Sequence, residues 1–128
     1  MQLKRLSLSQ SHRADENGYA VPVDELTEAS ALKSPYYPIV LPTMFYIAAI
    51  EMDETEANDK HVVSVRISES DGHTIMRSSP LPLNVDQDSN TSHLLGEFRN
   101  IKLHHKGTYT IALEVDGLDL GSIAIRFA

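Results

Sequence analysis

Tyr109, Ile111, Leu113 and Val115 occupy every second position and stop at Asp116-Gly117. A period of two places successive side chains on opposite faces of an extended chain, so this stretch reads as a strand with one buried face. An Asp-Gly pair supplies the positive backbone φ angles of a tight hairpin. Ile123, Ile125 and Phe127 then return on the same period, after a phase shift from Leu118 and Leu120 that predicts a bulge at Gly121. Few architectures accept a sequence built this way, and the period recurs along the chain.

Leu6 and Leu8 alternate with serines in a first strand, roughly residues 2–11, before the polar run Ala14-Asp15-Glu16-Asn17-Gly18. There Asn-Gly predicts a tight turn into Tyr19, Val21 and Val23, with Pro22 confining that strand to an edge. Residues 24–32 are the one helical candidate, capped by Asp24 or Thr27 and stopped by Pro35. Ser34-Pro35-Tyr36-Tyr37-Pro38 reads as an extended connection. Over 43–52 both faces are apolar, as in a covered central strand. An acidic loop follows, and then Val63, Val65 and Ile67 point inward up to the Asp71-Gly72 turn. Pro80 and Pro82 keep Leu81, Leu83 and Val85 at an edge, while Phe98, Ile101 and Leu103 belong to a strand whose register the pattern leaves open.

About eight short strands, with turn signals at short intervals, predict an all-β fold. The expectation is a single-domain antiparallel β-sandwich over 1–128, of Ig-like or C2-like kind, with at most one short helix. Leu113, Val115, Val63, Val65, Phe45 and Ile47 are its expected core. By analogy with the tyrosine corner, Tyr109 should bury its ring and bond its hydroxyl to nearby backbone.

At 128 residues the chain can bury a real core unaided, and with no cysteine it has neither a disulfide framework nor a thiolate metal site. A net charge of −7 opposes duplex nucleic acid, because phosphate binding relies on clustered Lys and Arg. The patch Lys102, His104, His105, Lys106 reads as a solvated strand end. Ile39 to Ile50, broken by Pro42 and Thr43, is too short to span a bilayer, and the first residues lack the apolar run of a signal peptide. The expected location is cytoplasmic.

Catalytic signatures are sparse. No serine sits in a Gly-x-Ser-x-Gly elbow, no His-Glu-x-x-His motif occurs, and the six glycines are scattered over single turns. Asp86, Asp88 and Glu97 have oxygen ligands at spacings that resemble a calcium loop, but Thr91 stands where the sharp bend needs Gly. The acidic loop with Asp53, Glu54, Glu56 and Asp59 is a second place for a cation. In each, solvated turn residues are the simpler reading. His12, His61, His73 and His93 fall near strand ends or turns, where histidine is commonly solvated, and no cofactor is expected.

Ala14-Asp15-Glu16-Asn17-Gly18 with Glu25-Leu26, then Tyr37-Pro38-Ile39-Val40-Leu41-Pro42, and later Gly107-Thr108-Tyr109 with Leu113-Glu114-Val115-Asp116-Gly117 and Leu120-Gly121, follow one another in order. Together they resemble a group of small bacterial β-sandwich proteins of unknown function. That resemblance implies a compact sandwich and no catalytic residue. The functional expectation is a non-enzymatic interaction or structural module that binds another protein or itself. Its surface would be Tyr36, Tyr37, Tyr19, Val21, Leu81 and Leu83. The alternative is a ligand- or metal-binding sandwich using the loop carboxylates.

Overall fold

The computed structural model describes residues 1–27, 36–83 and 90–127. It contains nine strands: β1 (Gln2–Ala14), β2 (Ala20–Leu26), β3 (Ile39–Glu51), β4 (Val62–Glu69), β5 (Thr74–Arg77), β6 (Leu81–Pro82), β7 (Thr91–Leu103), β8 (Gly107–Val115) and β9 (Leu118–Phe127). One four-residue helix, α1 (Glu54–Ala57), joins β3 to β4. The strands form two antiparallel sheets, one ordered β2-β1-β3-β7 and the other β5-β4-β8-β9, with β6 paired to β4. The fold is an all-β sandwich, as the alternation requires.

The inner faces meet in one apolar core. Met44, Tyr46, Ala48 and Ile50 from β3 pack with Leu6 and Leu8 from β1 and with Leu94 and Phe98 from β7. From the other sheet come Val63, Val65 and Ile67, then Tyr109, Ile111, Leu113 and Val115, and finally Ile125 and Phe127. Gly96 makes room for the largest of these side chains. It lies opposite Tyr46 across the β3–β7 ladder, and a Cβ there would fall inside the tyrosine ring. The hydroxyl of Tyr46 is buried and has no hydrogen-bond partner among the described residues. Burial pushes its pKa up; Ser78, close enough to oppose this, already accepts from the Val65 N–H at 2.8 Å.

Tyr109 makes the expected corner. Its ring is buried edge-on against Phe127, and its hydroxyl donates to the His105 carbonyl at 2.7 Å. Of the three glycine turns, only Asp116-Gly117 is a two-residue hairpin with both φ angles positive. At 15–19 and at 69–73 the loops instead have three residues, with Gly18 and Gly72 alone in the left-handed region and an aspartate (Asp15, Asp71) accepting from turn amides. The bulge expected at Gly121 is present: Leu113 pairs Gly121 while Glu114 pairs Asp119, leaving Leu120 extra.

Three expectations are corrected. Asp24 to Leu26 end β2 instead of starting a helix; the rest of that helical candidate lies outside the described residues. The acidic segment is not an open loop but α1, with Asp53 and Glu56 closing a reciprocal capping box. Phe45 is not buried in the core, and Ile47, although buried as expected, is not on the inner face. Both sit on the outer face of their sheet, Phe45 half-buried and Ile47 only 4% exposed.

One device, used twice, accounts for that burial and for the open register of β7. Asn100 has a φ of 56°, and the β3–β7 ladder skips from Leu41–Ile101 to Thr43–Arg99, leaving Asn100 and Pro42 unbridged. A left-handed residue rotates the following side chains to the opposite face. The apolar positions of β7 accordingly pass from even (Leu94, Phe98) to odd (Ile101, Leu103). Asp24, also at 56°, does the same opposite Gln10, where the β1–β2 ladder skips from Ser9–Glu25 to Ser11–Val23. Beyond that point, residues 11–23 form a hairpin arm that leaves the plane of its sheet and lies across the sheet's outer face.

Candidate functional site

The arm is placed by ring contacts. His12 meets Phe45 edge-on with centroids 4.7 Å apart, and Tyr19 stacks on His93 at 3.8 Å and 18°. His12 is on β1, which pairs β3, whereas Tyr19 at the tip of the arm, just before β2, reaches His93 on β7, a strand that neither β1 nor β2 pairs with. Ser7 and Ser9, outward on β1, are thereby buried; Ser7 donates to the Ile47 carbonyl at 3.4 Å and Ser9 to the Ser11 carbonyl at 2.8 Å.

Between arm and sheet lies a cleft of about 360 Å³. Ile47, Ala48, Leu94 and Leu95 form its sheet side, and Ala14, Gly18, Tyr19 and Ala20 its arm side. His12, Arg13 and His93 supply its ionisable groups, and no carboxylate lines it among the described residues. This size suits a ligand side chain or short segment, and an apolar floor with a few convergent polar groups is the usual composition of a binding cleft. Leu95, 41% exposed, marks the rim on edge strand β7.

The six residues expected to share one surface do not. Tyr36, 79% exposed, and Tyr37, packed on the core, precede β3 near its Ile39 end, which pairs with Leu103. Tyr19 lies over His93, whose ladder partner is Ala49, so ten residues of β3 and roughly 30 Å separate the two tyrosine groups. Val21 is half-buried on the arm, while Leu81 and Leu83 pack against the core from the other sheet, at the β6 edge. Only Tyr19 of the six lines the cleft. Asp86 and Asp88 lie outside the described residues; Glu97 is mid-strand on β7, with its carboxylate 2.8 Å from Arg99. Among the described residues no group of three His, Asp or Glu side chains converges on a possible metal position.

His61, expected to be merely solvated, is held from both ring nitrogens. Nδ1 lies 2.7 Å from Asp116 Oδ2 and Nε2 lies 2.8 Å from the Glu56 carbonyl oxygen. Both partners can only accept, so the two bonds are complete together only when both ring nitrogens are protonated. These bonds, to Asp116 first and Glu56 second, raise its pKa, and the same contact lowers that of Asp116. Asp116 also accepts from the Val62 N–H at 3.0 Å, tying the β8–β9 hairpin to the start of β4. The two residues are 55 apart, and only the β4–β8 register brings them together.

The second sheet's outer face is ionic. Glu114, 7% exposed, contacts Arg77 directly and lies 3.5 Å from Arg66, which reaches Asp119 on its other side at 3.5 Å. These four residues form a ladder across β5, β4, β8 and β9. Arg66 Nε is buried without a hydrogen-bond partner among the described residues.

Two antiparallel sheets, an inner apolar core and a hairpin arm folded over one outer face place this protein among the small all-β sandwiches. Residues 27–128 match DUF6941, a family of unknown function, and the chain belongs to that family. The matched region contains the Tyr37 to Pro42 and Gly107 to Gly121 stretches; β1 and β2 precede it. No curated protein matches the chain. A solved structure that resembles it is the Pseudomonas fluorescens alkylpurine DNA glycosylase AlkC bound to DNA containing an abasic site analogue. The two are 19% identical, with a TM-score of 0.43, over 67% of this chain and 25% of that one. The chain thus spans about a quarter of that structure's length, and a likeness this distant carries no functional argument. No described helix is long and apolar enough to cross a membrane.

Proposed function

We propose that this protein is a non-enzymatic protein-interaction module whose docking surface is the cleft beneath the hairpin arm. The observation that supports this reading is the cleft's composition. In a chain of net charge −7, it presents Arg13, His12 and His93 over an apolar floor and, among the described residues, no carboxylate. Its complement is an acidic segment of a partner protein, with an apolar side chain entering above Ile47 and a carboxylate meeting Arg13. Arg13 is exposed and forms no ion pair among the described residues, so it can make that contact at little desolvation cost.

A photoreactive residue in place of Ala20, in the full-length protein within its own host, tests the surface. Crosslinks should map to an acidic, apolar segment of one partner, and Arg13→Glu should abolish them while the fold persists. A partner captured equally well by Arg13→Glu and Tyr19→Ala variants would refute the assignment.

A further inference from the structure

Three of the four sheet edges carry devices that discourage strand addition. On β2 there is Pro22, and the strand is carried away on the arm. The β5–β6 edge is broken at Ser78, which replaces a ladder residue by pairing its own N–H and hydroxyl with Val65. Pro80 and Pro82 follow it. The β9 edge is kinked by the Leu120 bulge, and Leu3 of β1 packs on Gly121 beside it. Between Thr91 and Arg99, β7 has no proline, lysine or bulge, and among the described residues no strand lies on its outer side. Such an edge is a template for another strand.

We infer that β7 pairs antiparallel with β7 of a second copy about a two-fold axis at Leu95, joining the two four-stranded sheets. The sequence of the strand selects that occupant. Outward-facing residues on β7 are His93, Leu95 and Glu97, all exposed. A dyad at Leu95 sets Leu95 against Leu95, and each His93 against the other copy's Glu97. On the inner face Leu94 meets Gly96, which has no side chain to collide with it. Neighbouring registers lose this match. A dyad at Gly96 opposes His93 to Arg99, and one at Glu97 opposes two carboxylates, which is destabilising for directly facing residues. A self-complementary patch of this kind is what an isologous dimer requires. The inference does not depend on an acidic segment occupying the cleft: the two sites share His93 and Leu95 at the cleft's β7 rim, while Arg13, Tyr19 and Ala20 lie on the arm and not on the β7 edge strand.

The test is sedimentation velocity of the full chain over a hundredfold concentration range. The wild type should show a reversible monomer–dimer equilibrium. Leu95→Asp, which puts two carboxylates on the axis at an already exposed position, should leave only monomer with an unchanged circular dichroism spectrum. His93→Glu alone should weaken the dimer by about tenfold or more, through facing carboxylates at two symmetric positions, and Glu97→Lys alone should weaken it by removing the carboxylate that faces each His93. Mixing those two variants should recover the dimer. In the mixed pair the carboxylate introduced at position 93 of one copy faces the ammonium introduced at position 97 of the other, and the native His93 and Glu97 still face each other. Such recovery occurs only if the residues touch across copies. A wild type that stays monomeric throughout, a dimer indifferent to Leu95→Asp, or a mixture no tighter than either variant would each overturn the inference. None of these outcomes bears on the crosslinking at position 20.

Discussion

The two outer faces of this sandwich meet water in opposite ways. On the β2-β1-β3-β7 sheet the outer face carries an apolar patch, Phe45, Ile47, Ala49 and Leu95, and the chain covers part of it with its own hairpin arm. On the β5-β4-β8-β9 sheet it is polar, and Arg77, Glu114, Arg66 and Asp119 tie the strands together with charge. A face covered by an arm behaves as a second, thinner core and has a cleft wherever the cover is incomplete. The face closed by ion pairs has a cleft too, of about 340 Å³ beside Ala112 and Leu120, but it sets both Arg66 and the carboxylate of Asp119 on its walls. The difference is why the proposed docking cleft is assigned to the face that needed covering.

Truncating side chains layer by layer tests that contrast. Leu113→Ala in the inner core should cost about 2–5 kcal/mol in chemical denaturation. Ile47→Ala, on the outer face, should cost about 2 kcal/mol, near the lower end for buried aliphatic truncations, because it is buried beside a cleft under a thin arm and not within the inner core. A loss below about 0.5 kcal/mol, ordinary for a surface position, would mean that the arm does not cover Ile47. On the other sheet, Glu114→Gln removes the charge that two arginines share. Breaking a buried pair costs about 3–5 kcal/mol; since Arg77 is half exposed to solvent, about 1–2 kcal/mol is expected here, declining with added salt.

Those magnitudes also follow what could be read from the residues. Inner-face positions such as Val63, Val65, Leu113 and Val115 were legible because alternation is local and burial on one face is its direct cause. Tyr109 was legible for a similar reason: the corner joins residues four apart. Phe45 and Ile47 showed that both faces of β3 are apolar, but not which one looks inward. That depends on Asp24 and Asn100 adopting left-handed φ angles, for which an Asx residue is permissive without being diagnostic. The cleft joins residues 12–20 to residues 47–48 and 93–95, and the His61–Asp116 pair spans 55 positions. Such juxtapositions are properties of the ladder registers and leave no mark on local composition.

The smallest expected effect concerns that pair. The folded pKa of His61 lies above its ordinary 6.5, so its contribution is fully present below that pH and is lost as pH rises through the folded value. Asp116, lowered from 3.8, contributes above that pH and loses its contribution as pH falls through its own folded value. Asp116, Asp59 and Glu56 are the charged groups around the ring. The melting temperature should therefore decline by roughly 1–3 °C on crossing from mildly acidic to mildly alkaline solution. Asp116→Asn should flatten that decline; an unaltered slope would show that another group sets it.

Gly96 and Tyr46 impose an order on change. Position 46 is free to shrink while 96 stays glycine, leaving a void that costs stability but breaks nothing. Position 96 cannot grow while the Tyr46 ring stays where it is, because the first added carbon would fall within that ring. Any series that acquires a side chain at 96 must therefore move the Tyr46 ring or replace it with a smaller residue. The pair works as a one-way gate in sequence space, and a chain with alanine at 96 and tyrosine at 46 should not be found with this packing.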